Sequence, residues 1–342
     1  MMRNKKKPLV SIIISNLNGR EWLDQCLKSL RYQTFDNFEI IMVDNVSKDD
    51  SVAFVKKNYP EVRVIENKQD LGFSGGNNVG VQYAHGEYVL LLNNDTRVTK
   101  DYLKNFIKAF QEIPRLGAAQ SKMILMKDPN KLDACGAYWT DTTFLYHIGY
   151  LQDQNLKKFN VPFPVFTNKG ASMLIRKDLI NKIGLFDDDF WCYYEETDFC
   201  HRVWMAGYEC WYYPKAVMYH AMGGTTLRFK NDYIQFHNFK NKLLSFLKNF
   251  ELKSLIYIIP TFLVLNIILS FLWLFQGKIK HFLALYKAIW WNLTHLKTTL
   301  KKRQKIQSFR ICSDKEIFIK TRVNPRLSYY YYLFIGLDKY KE

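Results

Sequence analysis

Four short apolar runs lie within the first 95 residues, each followed by a polar turn rich in Asn, Asp or Gly. They are Leu9 to Ser15, Phe38 to Val43, Val62 to Ile65 and Tyr88 to Leu92. Helical patterns separate them. One covers about 20–33, with Trp22, Leu23, Cys26, Leu27 and Leu30 on one face; a second covers about 49–58 and is stopped by Pro60; a third covers about 75–84. Runs apolar along their whole length suit strands buried on both faces, which is the condition of a parallel sheet. Parallel strands joined by right-handed helical crossovers form an α/β fold with an open, doubly wound, mainly parallel sheet. Ligands of such sheets sit beyond the carboxyl ends of the strands.

Those ends carry Ser15-Asn16-Leu17-Asn18-Gly19, Asp44-Asn45, the stretch from Asn67 to Asn78, and Asn93-Asn94-Asp95. A single turn of this composition is ordinary. Four on one sheet edge have the composition of a binding site. After about residue 113 the alternation weakens, and 116–170 reads as mixed strands and loops with Pro162 and Pro164 in an extended stretch. A second ordered block runs from Gly170 to Met222. It contains a strand over Ser172–Ile175, a short helix ending near Gly184, a helix over about Glu195–Ala206, and strands over Tyr208–Tyr213 and Val217–His220.

The rest of the chain differs in character. Ser254 to Phe275 is 22 residues without a formal charge, seventeen of them large and apolar, interrupted by Pro260 and Asn266. Its length suits a bilayer. Ile279 to Leu293 is shorter and aromatic, as in an interfacial helix. Residues 278–342 hold fifteen Lys or Arg against four Asp or Glu, so this tail carries +11 of the formal +17. Basic flanks favour the cytoplasmic side, and a single span would separate the tail from the catalytic domain. A re-entrant or in-plane insertion keeps both on the inner leaflet. The six cysteines are scattered without a Cys-x-x-Cys pair, and residues 9–15 are too short and β-branched for a secretory core. Both features fit a catalytic domain in the reducing cytosol, at the cytoplasmic face of the cell membrane. A nucleic-acid binder would carry its basic residues on the sheet domain, so no nucleic-acid partner is expected.

The chemistry concentrates in a few residues. Asp95, at the end of a buried strand, can hold Mg2+ or Mn2+, which favour hard oxygen ligands; Asn93 and Asn94 can offer amide oxygens or bond a ribose. Glu195, Glu196 and Asp198 gather at a helix start. Macrodipole compensation accounts for acids there, but adjacent acids also raise one another's pKa, which suits one of them to be a general base. Arg202, one turn beyond Asp198, is its expected partner. His220 ends a short apolar strand ahead of Gly223 and Gly224 and suits a metal or a diphosphate. The turn over 71–78, with Gly72, Gly75, Gly76 and Asn77, opens a helix whose amides can approach phosphate or sugar. The spacing of Cys192, Cys200, His201 and Cys210 does not match the usual zinc pairs. A nucleotidyltransferase would share sheet and metal but need a basic Gly-rich loop early in the chain, which 16–20 is not.

Taken in order, Ser-Asn-Leu-Asn-Gly at 15–19, Val-Asp-Asn at 43–45, Leu-Gly-Phe-Ser-Gly-Gly-Asn-Asn at 71–78, Asn-Asn-Asp at 93–95, Gly-Ala-Ser-Met-Leu-Ile-Arg at 170–176 and Tyr-Glu-Glu-Thr-Asp-Phe-Cys-His-Arg at 194–202 resemble the family 2 glycosyltransferases over about residues 8–224. The nearest branch is the rhamnosyltransferase-like and galactofuranosyltransferase-like enzymes of cell-surface polysaccharide assembly. The resemblance implies a GT-A fold and an inverting, metal-dependent transfer from a nucleotide diphosphate sugar, dTDP-rhamnose or a UDP-hexose, to a hydroxyl of a polyprenyl-diphosphate-linked saccharide. A catalytic domain is expected over 1–240, with a nucleotide-binding half over about 8–113 and an acceptor half over about 114–240. A membrane-associating tail, contacting lipids, follows over 241–342. Asn16, Asn18, Asp44, Gly72, Gly75, Gly76, Asn77, Asn93 and Asn94 become donor-binding residues; Asp95 and His220 become metal ligands. Glu196, with Glu195 beside it, stands at the base position, and Trp191 and Asp198 face the acceptor. Asn93 replaces the first acid of the family's Asp-x-Asp, and Glu195-Glu196 replaces its Glu-Asp. The Gln-x-x-Arg-Trp of processive synthases is absent, so one sugar per encounter is expected. The competing class is a non-catalytic, membrane-bound nucleotide-sugar binder on a dead transferase fold.

Overall fold

The computed structural model describes residues 7–222 and 231–335; Gly223 and Gly224 lie outside the described residues. The first half winds as β1 (Val10–Asn16), α1 (Arg20–Arg31), β2 (Phe38–Asp44), α2 (Ser51–Asn58), β3 (Val62–Glu66), α3 (Gly72–Tyr83) and β4 (Tyr88–Leu92). Short β5 (Thr96–Val98) and α4 (Tyr102–Glu112) lead into the long β6 (Leu116–Leu125). An insertion follows with β7 (Leu132–Ala134), β8 (Ala137–Trp139), β9 (Leu145–His147) and β10 (Phe163–Pro164). Then come β11 (Ser172–Arg176), α5 (Lys177–Ile183), α6 (Glu195–Met205) and β12 (Glu209–His220). The C-terminal helices are α7 (Asn231–Asn249), α8 (Leu252–Phe275), α9 (Ile279–Thr294), α10 (Leu296–Ser308), α11 (Asp314–Thr321) and α12 (Leu327–Ile335).

The main sheet runs β10-β12-β6-β11-β4-β1-β2-β3. Strands β4, β1, β2 and β3 are mutually parallel, as their unbroken apolar character requires. β11 enters antiparallel between β4 and β6, and β12 lies parallel to β6. Successive residues of β1 and β4 alternate between two cores: Ile13, Val89 and Leu91 face one layer, and Ile12, Ile14, Leu90 and Leu92 face the other. The expected strands over 208–213 and 217–220 are one strand. A register shift against β6 falls between Tyr213 and Val217, where Pro214 cannot donate to the ladder.

The expected interruptions of the apolar segment do not occur. α8 is continuous through Pro260 and Asn266, and the Asn266 side chain donates through Nδ2 to the Phe262 carbonyl at 2.7 Å, within the helix. α8 lies against α7 through Phe246–Phe262 and Phe239–Trp273, and against α9 through Phe271–Phe282. The layer is bolted to the sheet domain by buried charge. Lys248 donates to Asp187 at 2.5 Å and sits 3.3 Å from Asp198, and Lys302 bonds Asp187 and Asp189.

Candidate active site

The carboxyl ends of β1 and β4 open on a cavity of about 400 Å3. Its wall holds Gly72, Asn93, Asn94, Asp95, Trp191, Glu195, Glu196 and His220, drawn from five separate stretches of chain. Register explains the meeting of Asp95 and His220. β12 pairs antiparallel with β5 so that His220 opposes Thr96, and the Ala221 amide donates to the Asp95 carbonyl at 3.0 Å. His220 Nε2 then lies 3.2 Å from Asp95 Oδ1. Its other nitrogen, Nδ1, donates to Asp133 Oδ2 at 2.8 Å, which orients the ring.

Among the described residues no group of three His, Cys, Asp or Glu side chains gathers to hold an ion. Asp95 and His220 form a pair of one hard oxygen and one imidazole, both buried and converging on one cavity. Such a pair fits Mg2+ or Mn2+, which typically rely on one or two protein ligands and complete their coordination with substrate phosphate.

The acidic helix start is held in a strained loop. Trp191, Tyr193 and Tyr194 all have positive φ, 58°, 68° and 71°, without being glycine. Three contacts impose this shape. Asn241 of α7 donates through Nδ2 to the carbonyls of Phe190, Cys192 and Tyr193 at 3.1, 2.8 and 2.6 Å. The Ser74 amide donates to the Trp191 carbonyl at 3.0 Å. Gly72, itself at φ 65°, comes so close to that carbonyl that a Cβ there would collide with it. Glu195 and Glu196 then open α6, where the positive end of the helix favours carboxylates. Each has a shielded Oε2 without a hydrogen-bond partner. Burial raises the pKa of both. For Glu195 the charge of Glu196 adds to the rise, whereas backbone amides and Lys169 oppose it at Glu196.

A second cavity of about 410 Å3 lies on the insertion side, walled by Asp133, Gly136, His147, Tyr150 and Thr167 among others. The two share Lys169, Glu196 and Met222, while Glu195 faces the first alone.

Several expected site residues are elsewhere. Asp198 is fully buried and turned into a charge cluster: Arg202 donates to it at 2.9 Å, Lys248 sits at 3.3 Å and Asn249 donates at 2.9 Å. The Arg202 partnership stands as read, but no surface of Asp198 is left for an acceptor. Asp44 accepts from Asn16 at 2.9 Å and from the Ser47 amide at 2.9 Å, and Asn16 in turn accepts from Asn94 at 2.7 Å. Asn18 accepts from the Lys48 amide at 2.6 Å. These residues brace the strand ends behind the wall; Ser15, Leu17 and Asn45 are the neighbours that reach the cavity. The glycine turn is not an open phosphate loop. The amides of Gly72, Ser74 and Gly75 already donate to Asp70, Trp191 and Leu71. Gly76 lies inside α3, where a Cβ would strike Ser15, and a Cβ on Gly75 would strike Leu71. Asn77 is buried and donates to the Phe73 carbonyl.

Two residues were missed by the reading of the sequence. Lys169 directly precedes the Gly170 motif, and that adjacency was the one available signal. Asp133 lies in the irregular stretch over 116–170, with nothing around it to single it out.

The fold and its strand-end cavity define the class: an open mixed sheet of GT-A type with C-terminal helices. The model of the family described as Glycosyl transferase family 2 matches residues 11–184, and the chain belongs to that family. The chain is 26% identical over 240 residues to the low-salt glycan biosynthesis hexosyltransferase of Haloferax volcanii, covering 69% of this chain and 75% of that one. To an uncharacterized glycosyltransferase of Rickettsia typhi it is 30% identical over 193 residues, covering 55% of this chain and 56% of the other. Among solved structures, TarS of S. aureus in complex with UDP-GlcNAc matches with TM-score 0.57 and 16% identity, over 88% of this chain and 90% of that one. A mannosyltransferase from Pyrobaculum calidifontis, in complex with GDP-Man and Mn2+, matches with TM-score 0.52 and 13% identity, over 89% and 86%.

Proposed function

We propose that this chain transfers one sugar, with inversion, from a nucleotide diphosphate sugar to a hydroxyl of a lipid-linked saccharide. The reading rests on one observation above all: two cavities of similar size share the Glu196 carboxylate, which has a shielded, unpartnered oxygen. The donor occupies the cavity of Asp95 and His220, and the acceptor enters from the insertion side. Glu196 accepts the hydroxyl proton, the acceptor oxygen bonds to the sugar's anomeric carbon, and the bond from that carbon to the diphosphate oxygen breaks with its electrons going to phosphate. Attack from the side opposite the leaving group inverts the anomer. Glu196 is preferred to Glu195 as base because only Glu196 faces both cavities. Asp95 and His220 would hold Mg2+ or Mn2+, whose charge when bound offsets that of the departing diphosphate. Asn93 and Asn94 serve the nucleotide or the diphosphate, and Trp191 walls a sugar.

The donor, dTDP-rhamnose or a UDP-hexose, is taken from the resemblance to the rhamnosyltransferase-like and galactofuranosyltransferase-like branch. A diphosphate nucleotide sugar is supported by the ligands of the fold neighbours, UDP-GlcNAc and GDP-Man. Catalysis is assigned to 1–240 and membrane association to 241–342, with α7 straddling the boundary. Membrane association is supported by α8, the one helix among the described residues long and apolar enough to cross a membrane; the cytoplasmic face is assigned from the basic tail. Its packing along α7 and α9 favours an in-plane seat.

Purified protein is tested with Mn2+, a panel of nucleotide sugars and a polyprenyl-diphosphate saccharide, beside Glu196→Gln and Asp95→Ala. Consumption of one donor by wild type, with both folded variants inactive, supports the reading. A donor that binds without turnover points instead to a nucleotide-sugar binder on a dead transferase fold.

A further inference from the structure

Asp133 is a carboxylate from the irregular insertion, fully enclosed, with both oxygens committed to different partners. Oδ2 accepts from His220 Nδ1 at 2.8 Å and Oδ1 accepts from Lys169 Nζ at 2.6 Å. His220 continues to Asp95 at 3.2 Å, and Lys169 lies on the wall common to both cavities, beside Glu196. One buried group thus joins the pair that fits a divalent ion to the residue that faces the acceptor.

The position is costly. A carboxylate removed from water needs its charge met, and here a lysine and an imidazole meet it. For packing alone, an apolar residue would fill the place at least as well. The insertion reaches back across β6 to bring Asp133 in, by pairing β7 antiparallel to it.

We infer that Asp133 is a positioning residue for the transfer, fixing the His220 ring toward Asp95 with one oxygen and holding the Lys169 ammonium beside Glu196 with the other. Although it lines the insertion-side cavity, both of its oxygens are taken up by His220 and Lys169, and in this role it acts through them. A carboxylate behind a ligating histidine sets which ring nitrogen carries the proton, leaving the other free to bind an ion, and raises its basicity. Lys169 places a positive charge where the acceptor hydroxyl loses its proton. The inference rests on the functional reading given above, since it takes Asp95 and His220 as the ion's ligands.

The test is Mn2+ binding by titration calorimetry in the presence of UDP or dTDP, on wild type, Asp133→Asn and Asp133→Ala, with thermal unfolding run alongside. Asparagine keeps the volume but has one acceptor oxygen, so it can serve His220 or Lys169 but not both. It guards against an alanine variant that fails to fold. The expected result is Mn2+ affinity lower by about 10- to 100-fold in folded Asp133→Asn, the range seen when such outer partners are removed. Asp133→Glu, which keeps both oxygens, recovers part of the loss. A purely structural role lowers the unfolding temperature of Asp133→Asn while leaving Mn2+ affinity within twofold of wild type, and that result overturns the inference alone. A wild type that binds no Mn2+ with either nucleotide overturns it together with the metal-dependent reading.

Discussion

β1 and α8 are built from much the same residues, yet they meet opposite surroundings. In β1, Ile12, Ile13 and Ile14 are 0% exposed; in α8, Ile256 is 68% and Phe275 is 86% exposed. The strand is covered by helices on both faces, so its apolar surface is satisfied within the protein. The helix is covered on one side only, by α7 and α9, and a broad apolar face is left uncovered. Hydrophobicity alone therefore does not say where a segment resides; the number of protein layers around it does. An exposed apolar face of this kind marks an interaction surface, here assigned to lipid. The two regions are nevertheless joined, because Asn241 of α7 fixes the backbone of 190–193 from which the acidic helix starts.

The sharpest difference between the regions is expected at the strand ends. Glu196→Gln lowers kcat by about 100- to 10,000-fold, the usual contribution of a positioned general base, with little change in thermal unfolding. Because burial holds the Glu196 pKa above the ordinary glutamate range, the rate falls as pH drops through that raised value. Lys169→Met, by removing a charge that opposes the rise, moves this acidic limb to higher pH. Stability has the opposite sign. The folded state binds more protons than the unfolded chain between the ordinary and the raised pKa, so Glu195 and Glu196 make the fold less stable as pH climbs through that window. A pH–rate profile and urea titrations at several pH values check both signs.

The junction between the regions comes next. Lys248→Met takes one cation from the half-buried Asp187 and the buried Asp198, leaving Lys302 on the first and Arg202 with Asn249 on the second, and costs about 3 kcal/mol of unfolding free energy, the low end for removing one partner from a buried ion cluster. Asn241→Leu removes a donor from three carbonyls, of which that of Phe190 keeps another, the Cys192 amide. It lowers stability by about 1–3 kcal/mol and lowers activity through the 190–193 loop. If activity survives this change intact, the helical layer is an anchor only and the two regions are independent. The smallest effect on stability belongs to the uncovered face. Ile256→Glu with Val264→Glu changes unfolding by about 0.5 kcal/mol or less, as exposed substitutions do, while binding to anionic vesicles in a flotation assay is lost. Retained binding would sever the helix from the membrane.

Much of this molecule was legible residue by residue. The four strands were read to within one residue of their observed ends, and Tyr88–Leu92 to the residue, because continuous apolar runs between turn residues are a local signal. Asp95, Glu195, Glu196 and His220 were found as strand ends and a helix start and Trp191 through the family resemblance, and the structure brings them to one cavity. The misreadings shared a cause. Asp198, Asp44, Gly75, Gly76 and Asn77 have site-like chemistry, but whether such a group faces a ligand or braces a neighbour depends on what packs behind it. Pro260 and Asn266 were read as interruptions because propensity is local, whereas packing against α7 and α9 and a bond from Asn266 to Phe262 sustain the helix.

The sequence by itself determined the parallel α/β half, the edge on which the polar turns collect and the apolar, basic character of the C-terminal part, since periodicity and composition are properties of neighbouring residues. Only the tertiary structure decided that Asp133 and Lys169 join His220 to Glu196. It alone decided that the Ser74 amide of the glycine turn is engaged by the Trp191 carbonyl and that α7 holds the acidic loop in its strained shape. Each of these depends on groups tens to more than a hundred residues apart along the chain, whose meeting is set by strand register and helix packing.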